Sequence, residues 1–396
     1  MLKLLLVMIV VFAALASIPV RARSLNQREA LQQTRGVNDF VEYWAVARLI
    51  IQGENPYSPQ SLLNLQKSVG WAENTPLVMW NPPWVISFVL PFGLFPYSTA
   101  QFLWLLLNVV LILVSVTQLW EIYSKNSRGT RLALLISFTF VPVSLVLVFG
   151  QIGGLFLFGI VQFLRMQENK SWIGMGLATV LISIKPHPVY LFWIALILWI
   201  IEMRKFRVAV ALFIGLTTAT TVPTFLKPNL FRDYLLLQSD DAVISPFDLD
   251  TLAIGRVLRV LLKSENPTVQ FLPCIVGVAW LLIYRHKRKQ IWNWTEELPL
   301  LLLVSLTTTV FAWTYDLIIG LPALIQVTAR IFRERDTRLT RHATALYIVI
   351  TSAYWASKFF VSADFWSFWL PPVLLLAYLT TTRQTQRHSH ISNFSD

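Results

Sequence analysis

Four short polar stretches interrupt an otherwise apolar chain, and each holds side chains able to do chemistry. Residues 37–44 read VNDFVEYW, with Asp39 and Glu42 one helical turn apart and Tyr43 beside them. Gln151 lies in GQIGG, Lys185 and His187 in IKPHP, and Tyr315 and Asp316 in WTYDL. A plain structural role exists for most of them. With Phe40 as first helical residue, Asp39 is an N-cap and Glu42 stands at N3, an acidic version of the capping box. Asp316 can cap the helix that follows it in the same way. Lys185 and His187 alternate with Pro186 and Pro188, where the backbone must be irregular. They read either as a snorkelling lysine with an interfacial histidine or as an anion site for a phosphate at the membrane surface. Gln151 can offer its amide to a bound headgroup, while the glycines around it allow helices to approach closely. The five histidines show no HExxH spacing, and no Gly-rich phosphate loop or GxSxG elbow is present, so neither metal nor cofactor is expected.

The elements that must carry these residues are membrane helices. Of 396 residues, 55% are hydrophobic and only 14% are charged, too few charges to cover a soluble surface. Mean hydropathy is +0.58. Apolar runs close to the ~20 residues that cross hydrocarbon fall at 2–20, 98–120, 132–149, 152–164, 171–184, 188–203, 208–226, 267–284, 297–313, 317–330, 342–360 and 366–381. Residues 1–20 read as a retained first helix, with a cleavable signal peptide as the alternative. The stretch at 84–96 is apolar but too short to cross and is broken by Pro91 and Gly93, the pattern of a re-entrant or interfacial helix. Residues 40–51 place Phe40, Trp44, Ala47 and Ile51 on one stripe, suited to a helix lying on the membrane surface and ended by Gly53.

Charge sets the expected orientation. The net charge of +12 is carried by Lys/Arg clusters at alternate connections, near 123–131, 165–170, 204–207, 285–289, 330–341 and 383–388. Placing these in the cytoplasm obeys the positive-inside rule and argues against nucleic-acid binding. The four polar stretches then all lie on the external face. The expected organisation is a first helix (1–20), an external loop with juxtamembrane helices (21–97), a helix bundle (98–381) and a cytoplasmic tail (382–396). The last dozen residues read as disordered. Cys274 is the single cysteine, which excludes an intrachain disulfide.

Laid out in order, these pieces resemble glycosyltransferase family 87, integral membrane enzymes of the GT-C class that include polyprenyl-phosphate-mannose-dependent mannosyltransferases. The resemblance rests on DFVEYW (39–44), IIQGENPYSP (50–59), WNPPWVISFVLPFGLFPYSTAQFLW (80–104), GQIGGLFLFGI (150–160), GLATVLISIKPHP (176–188) and TYDLIIGLPAL (314–324). It implies an all-α, GT-C-like bundle of about 12 transmembrane helices with interfacial helices in the external loop. It also implies a multi-pass enzyme of the plasma membrane with its active site on the external face. The implied reaction moves a mannose-like hexose from a polyprenyl-phosphate-linked donor to a lipid or glycan acceptor, with inversion. Asp39 matches the acidic residue that such enzymes use as catalytic base. Glu42, Tyr43, Gln151, Lys185, His187, Tyr315 and Asp316 are then expected to bind substrate. A transporter or lipid flippase is the rival reading, expected to show polar groups near the bilayer midplane and symmetry between halves. Neither feature is legible in the sequence.

Overall fold

The computed structural model describes residues 37–392, apart from 126, 127, 241, 335 and 362, and the side chains of 383–392. The proposed first helix at 1–20 and the start of the loop therefore lie outside the described residues. Among those described there is no strand. The helices are α1 (Phe40–Ile51), α2 (Pro59–Ser68), a broken α3 (Pro83–Leu94), α4 (Tyr97–Ser124), α5 (Thr130–Thr139), α6 (Val141–Phe149), α7 (Gly153–Glu168), α8 (Trp172–Ile182) and α9 (Tyr190–Glu202). They continue as α10 (Phe206–Leu226), α11 (Leu230–Leu237), α12 (Ile254–Leu261), α13 (Leu272–Arg288), α14 (Trp294–Thr308), α15 (Leu321–Glu334), α16 (Thr337–Phe360) and α17 (Leu370–Ser392).

Fewer of these can cross a bilayer alone than the apolar runs suggest. Four are long and apolar enough: Tyr97–Ser124, Phe206–Leu226, Pro267–Ile291 and Thr314–Glu334. A fifth is the pair α5 and α6, read from sequence as one run at 132–149 but bent by 64° where Phe140 and Pro142 interrupt the helix. Helices α8 and α9 are apolar but short. The 11 residues of α8 rise only about 16 Å, against about 30 Å of hydrocarbon. At the C-terminus α17 continues to Ser392, into the stretch that reads as a disordered tail.

The largest departure from expectation is α1. It does not lie on a surface: ten of its twelve residues are buried, on every side of the helix. Its sequence FVEYWAVARLII is apolar almost all round, which is the signature of a core helix, and the single stripe understated it. α3 packs directly against it. A Cβ on Gly93 would stand 2.7 Å from the Ala47 carbonyl carbon, so only glycine allows this approach. The Trp44 indole and the Arg48 guanidinium each donate a 3.0 Å hydrogen bond to the α3 end, at Phe95 and Gly93. Phe40 and Tyr43 lie against Trp104 of α4, with ring centroids 5.3 and 5.7 Å apart. This cluster fixes α1 to the bundle and presents its N-terminus to the α6–α7 turn.

Along another side of the bundle runs an apolar groove of about 900 Å³, between α5, α15, α16 and α17. Leu135, Phe140, Val327, Tyr347 and Leu374 are among the side chains that line it.

Candidate functional site

Three irregular turns converge at the N-terminus of α1. The first is the α6–α7 turn. Gly150 ends α6 with φ +67°, and its carbonyl accepts from the Trp104 indole at 2.7 Å. Gly153 and Gly154 then start α7 where no side chain fits. A Cβ on Gly154 would meet Asn108 Oδ1 at 2.3 Å, the same oxygen that accepts the Gly154 N–H. Gln151 is thereby held, buried, at the foot of α7. The second turn runs from α8 through Ile184, Lys185 and Pro186 into the short 3-10 helix His187–Val189. The third is the 3-10 helix Thr314–Gly320, which leads into α15.

A continuous chain of hydrogen bonds joins them. The Gln151 amide donates to the Asp39 carboxylate at 2.8 Å. Its carbonyl oxygen accepts from the Tyr43 hydroxyl at 3.1 Å and from the Lys185 ammonium at 3.3 Å. Lys185 also donates to Asp316 at 2.8 Å and sits 4.7 Å from the centroid of the Tyr315 ring. Both partners of the Lys185–Asp316 pair are buried. Removing one side of such a pair strands a charge, at a cost of about 3–5 kcal/mol. Asp316 caps from within its own 3-10 helix, accepting the Trp313 N–H at 3.0 Å, and does not stand ahead of the helix it caps, the position expected from sequence. It is therefore a cap and an ion-pair partner together.

Asp39 is not a side-chain cap, contrary to one of its sequence readings. Its carboxylate makes no hydrogen bond to the α1 backbone. The capping oxygen comes from Asn38, which accepts the Phe40 N–H at 3.3 Å and is itself bound to Val148 and Gln101. Asp39 is half-buried and aimed at Gln151. Burial raises its carboxyl to about 6, opposed by the Gln151 hydrogen bond and the Lys185 charge. Glu42, buried one turn on, is pushed up to about 8 by desolvation and then by the Asp39 charge. Two neighbouring carboxyls thus prefer opposite states near neutral pH, Asp39 ionised and Glu42 protonated.

The remaining expected residues fall around this chain. Tyr315 stacks on Trp313 at 6.1 Å with the rings nearly parallel. His187 is outside the chain: its ring packs edge-on against Phe311, and its buried Nε2 has no hydrogen-bond partner. Sequence reading missed two supports. Asn81 donates to the Ile184 carbonyl at 2.9 Å, pinning the residue before Lys185. Asp364 accepts from the Thr314 N–H and hydroxyl at 2.7 and 2.5 Å and pairs with Lys358 at 3.1 Å, anchoring the start of the Tyr315–Asp316 turn. Both carry a polar residue beside proline or aromatic positions in an apolar chain, a signal too common to single them out. Among the described residues no group of three His, Cys, Asp or Glu side chains is placed to hold a metal ion.

Residues 79–314, more than half of the chain, match the sequence model of glycosyltransferase family 87. A search of the curated proteins and one of the solved structures returned no match. The matched stretch contains Gln151, Lys185 and His187. It starts after Asp39, Glu42 and Tyr43 and stops just before Tyr315 and Asp316, which the hydrogen bonds above tie to the matched part.

Proposed function

The chain belongs to glycosyltransferase family 87, a membrane glycosyltransferase family, and from that premise we propose an inverting hexosyltransferase that uses a polyprenyl-phosphate-linked sugar on the external face of the plasma membrane. The acceptor is a lipid or glycan hydroxyl. Asp39 is the general base: its carboxylate takes the hydroxyl proton as that oxygen bonds to the anomeric carbon. The bond from the anomeric carbon to the phosphate oxygen breaks, and polyprenyl phosphate leaves with the electron pair. One displacement inverts the anomeric centre.

The observation that carries this reading is the Asp39 carboxylate itself. It is half-exposed, free of its helix backbone, and linked through Gln151 to a lysine. An ammonium has three N–H donors. Two of those on Lys185 are taken, by Asp316 and Gln151, which leaves one for the phosphate of the leaving group. His187, with its unpartnered ring nitrogen, is a second donor for the same phosphate. Glu42 and Tyr43 orient Asp39 or a sugar hydroxyl, and Tyr315 offers a ring face.

The test is Asp39→Asn, assayed with a polyprenyl-phosphate hexose by following released polyprenyl phosphate. Because Asn38 and not Asp39 caps α1, the variant should keep its fold and thermal stability. Transfer should fall by about 10²-fold or more, the usual scale for losing acid–base help. A folded variant that transfers at the wild-type rate moves the base role elsewhere, to Glu42 first.

A further inference from the structure

A second polar cluster stands at the other end of the helices that begin at the candidate site. α7 and α15 both start beside Gln151 and Asp316. Their 16 and 14 residues carry the chain about 24 and 21 Å away. There the ends of α4, α7 and α15 and the start of α14 enclose a polar cavity of about 240 Å³. Tyr123, Lys125, Glu168, Glu296, Arg330 and Arg333 line it.

The charges inside do not cancel. Lys125 pairs with Glu168 at 2.6 Å, and Arg330 pairs with Glu296. That satisfies both carboxylates and leaves Arg333, an exposed guanidinium with no partner among the described residues. Tyr123 gives the second, independent sign. The side chain is buried, at 5% exposure, yet its hydroxyl makes no hydrogen bond. Tyr123 is one of the residues that line the cavity. A buried hydroxyl left unpaired is destabilising, and a ligand acceptor would relieve that. Both leftover groups are donors, one of them cationic. The N-terminus of α14 borders the same space through Asn293 and Thr295, and its first-turn Glu296 and Glu297 are held in ion pairs with Arg330 and Arg288.

We infer that this cavity binds a phosphate group, at the opposite end of the bundle from the candidate site. Arg333 supplies a two-pronged guanidinium contact, and Tyr123 donates its hydroxyl from the cavity wall. Basic pockets between membrane helices at an interface take the phosphate of an anionic lipid, and the same donors accept a free phosphate. The site does not depend on the reading of Asp39.

The experiment is thermal unfolding of the purified, detergent-solubilised protein with three separate additions: dioleoylphosphatidylglycerol, dioleoylglycerol with the same chains and no phosphate, and inorganic phosphate. Wild type should be stabilised by the phosphatidylglycerol and not by the diacylglycerol. The shift should disappear in Arg333→Ala and shrink in Tyr123→Phe, an isosteric change that removes only the hydroxyl. Arg333→Lys should retain part of it. If inorganic phosphate alone reproduces the variant-sensitive shift, the site holds phosphate from a soluble source. An equal shift with diacylglycerol, an unchanged shift in both variants, or no shift in wild type would overturn the proposal. Arg333 is exposed and Tyr123→Phe preserves shape, so both variants should fold without ligand.

Discussion

At the residue scale the decisive pair is Asp39 and Glu42, one turn apart and pushed to different proton affinities. Asp39 must be ionised to act as a base, and its carboxyl is raised to about 6, so transfer should rise as pH increases through about 6. Glu42 stays protonated up to about 8 and can donate its proton to a hydrogen bond. Once ionised it places a second negative charge beside Asp39, so transfer should fall again above about 8. The expected profile is a bell. Glu42→Gln should remove the alkaline limb and keep the acid one, because the amide cannot ionise. An alkaline limb that survives in that variant assigns it to another group. The types of these residues were legible in the sequence, and their order along the chain drew them together. What was not legible is the hub. Gln151 reads as one polar residue among glycines, and nothing local says that its two ends meet partners more than thirty and more than a hundred positions away. The capping role was misassigned by one residue, because Asn38 and Asp39 are equally good caps by type and only the backbone angle decides.

At the element scale the glycines at the foot of α7 set where Gln151 stands. Gly154→Ala should displace Asn108, whose oxygen would lie 2.3 Å from the added methyl. Overpacking of this kind costs about 1–3 kcal/mol, visible as a lowered unfolding midpoint. Because α7 begins right after Gln151, transfer should drop by more than the stability loss alone explains. A variant with normal stability and normal transfer would show that the α4–α7 contact is loose. Long helices were readable from their apolar runs: 98–120 appears as Tyr97–Ser124, and 342–360 as Thr337–Phe360. Helix α1 was not, because a twelve-residue segment with one acid and one arginine fits either a surface stripe or a buried core. Its partners, α3 and Trp104, settle the matter through contacts distant in sequence. The α5–α6 bend was signalled by Pro142, which an unbroken hydropathy run conceals.

At the scale of the whole molecule, the positive clusters at alternate connections remain the argument for orientation. The span Pro267–Ile291 offers a direct check, since Glu265 lies just before it, Lys289 stands near its far end, and both are exposed. In a Cys274→Ser background, a cysteine at 265 should react with a membrane-impermeant maleimide from outside intact cells. A cysteine at 289 should react only after the cells are opened. Labelling of both from the same side would reject this orientation, and with it the external placement of Asp39.

The groove between α5, α15, α16 and α17 has its own consequence. About 900 Å³ of groove lined by apolar side chains lies open at the side of the bundle. Hydrocarbon tails, of lipid or of detergent, match such a surface and water does not. One wall of that groove is α15, which continues directly from the turn holding Asp316. The helix that leads away from the candidate site thus carries an open apolar wall on its other side.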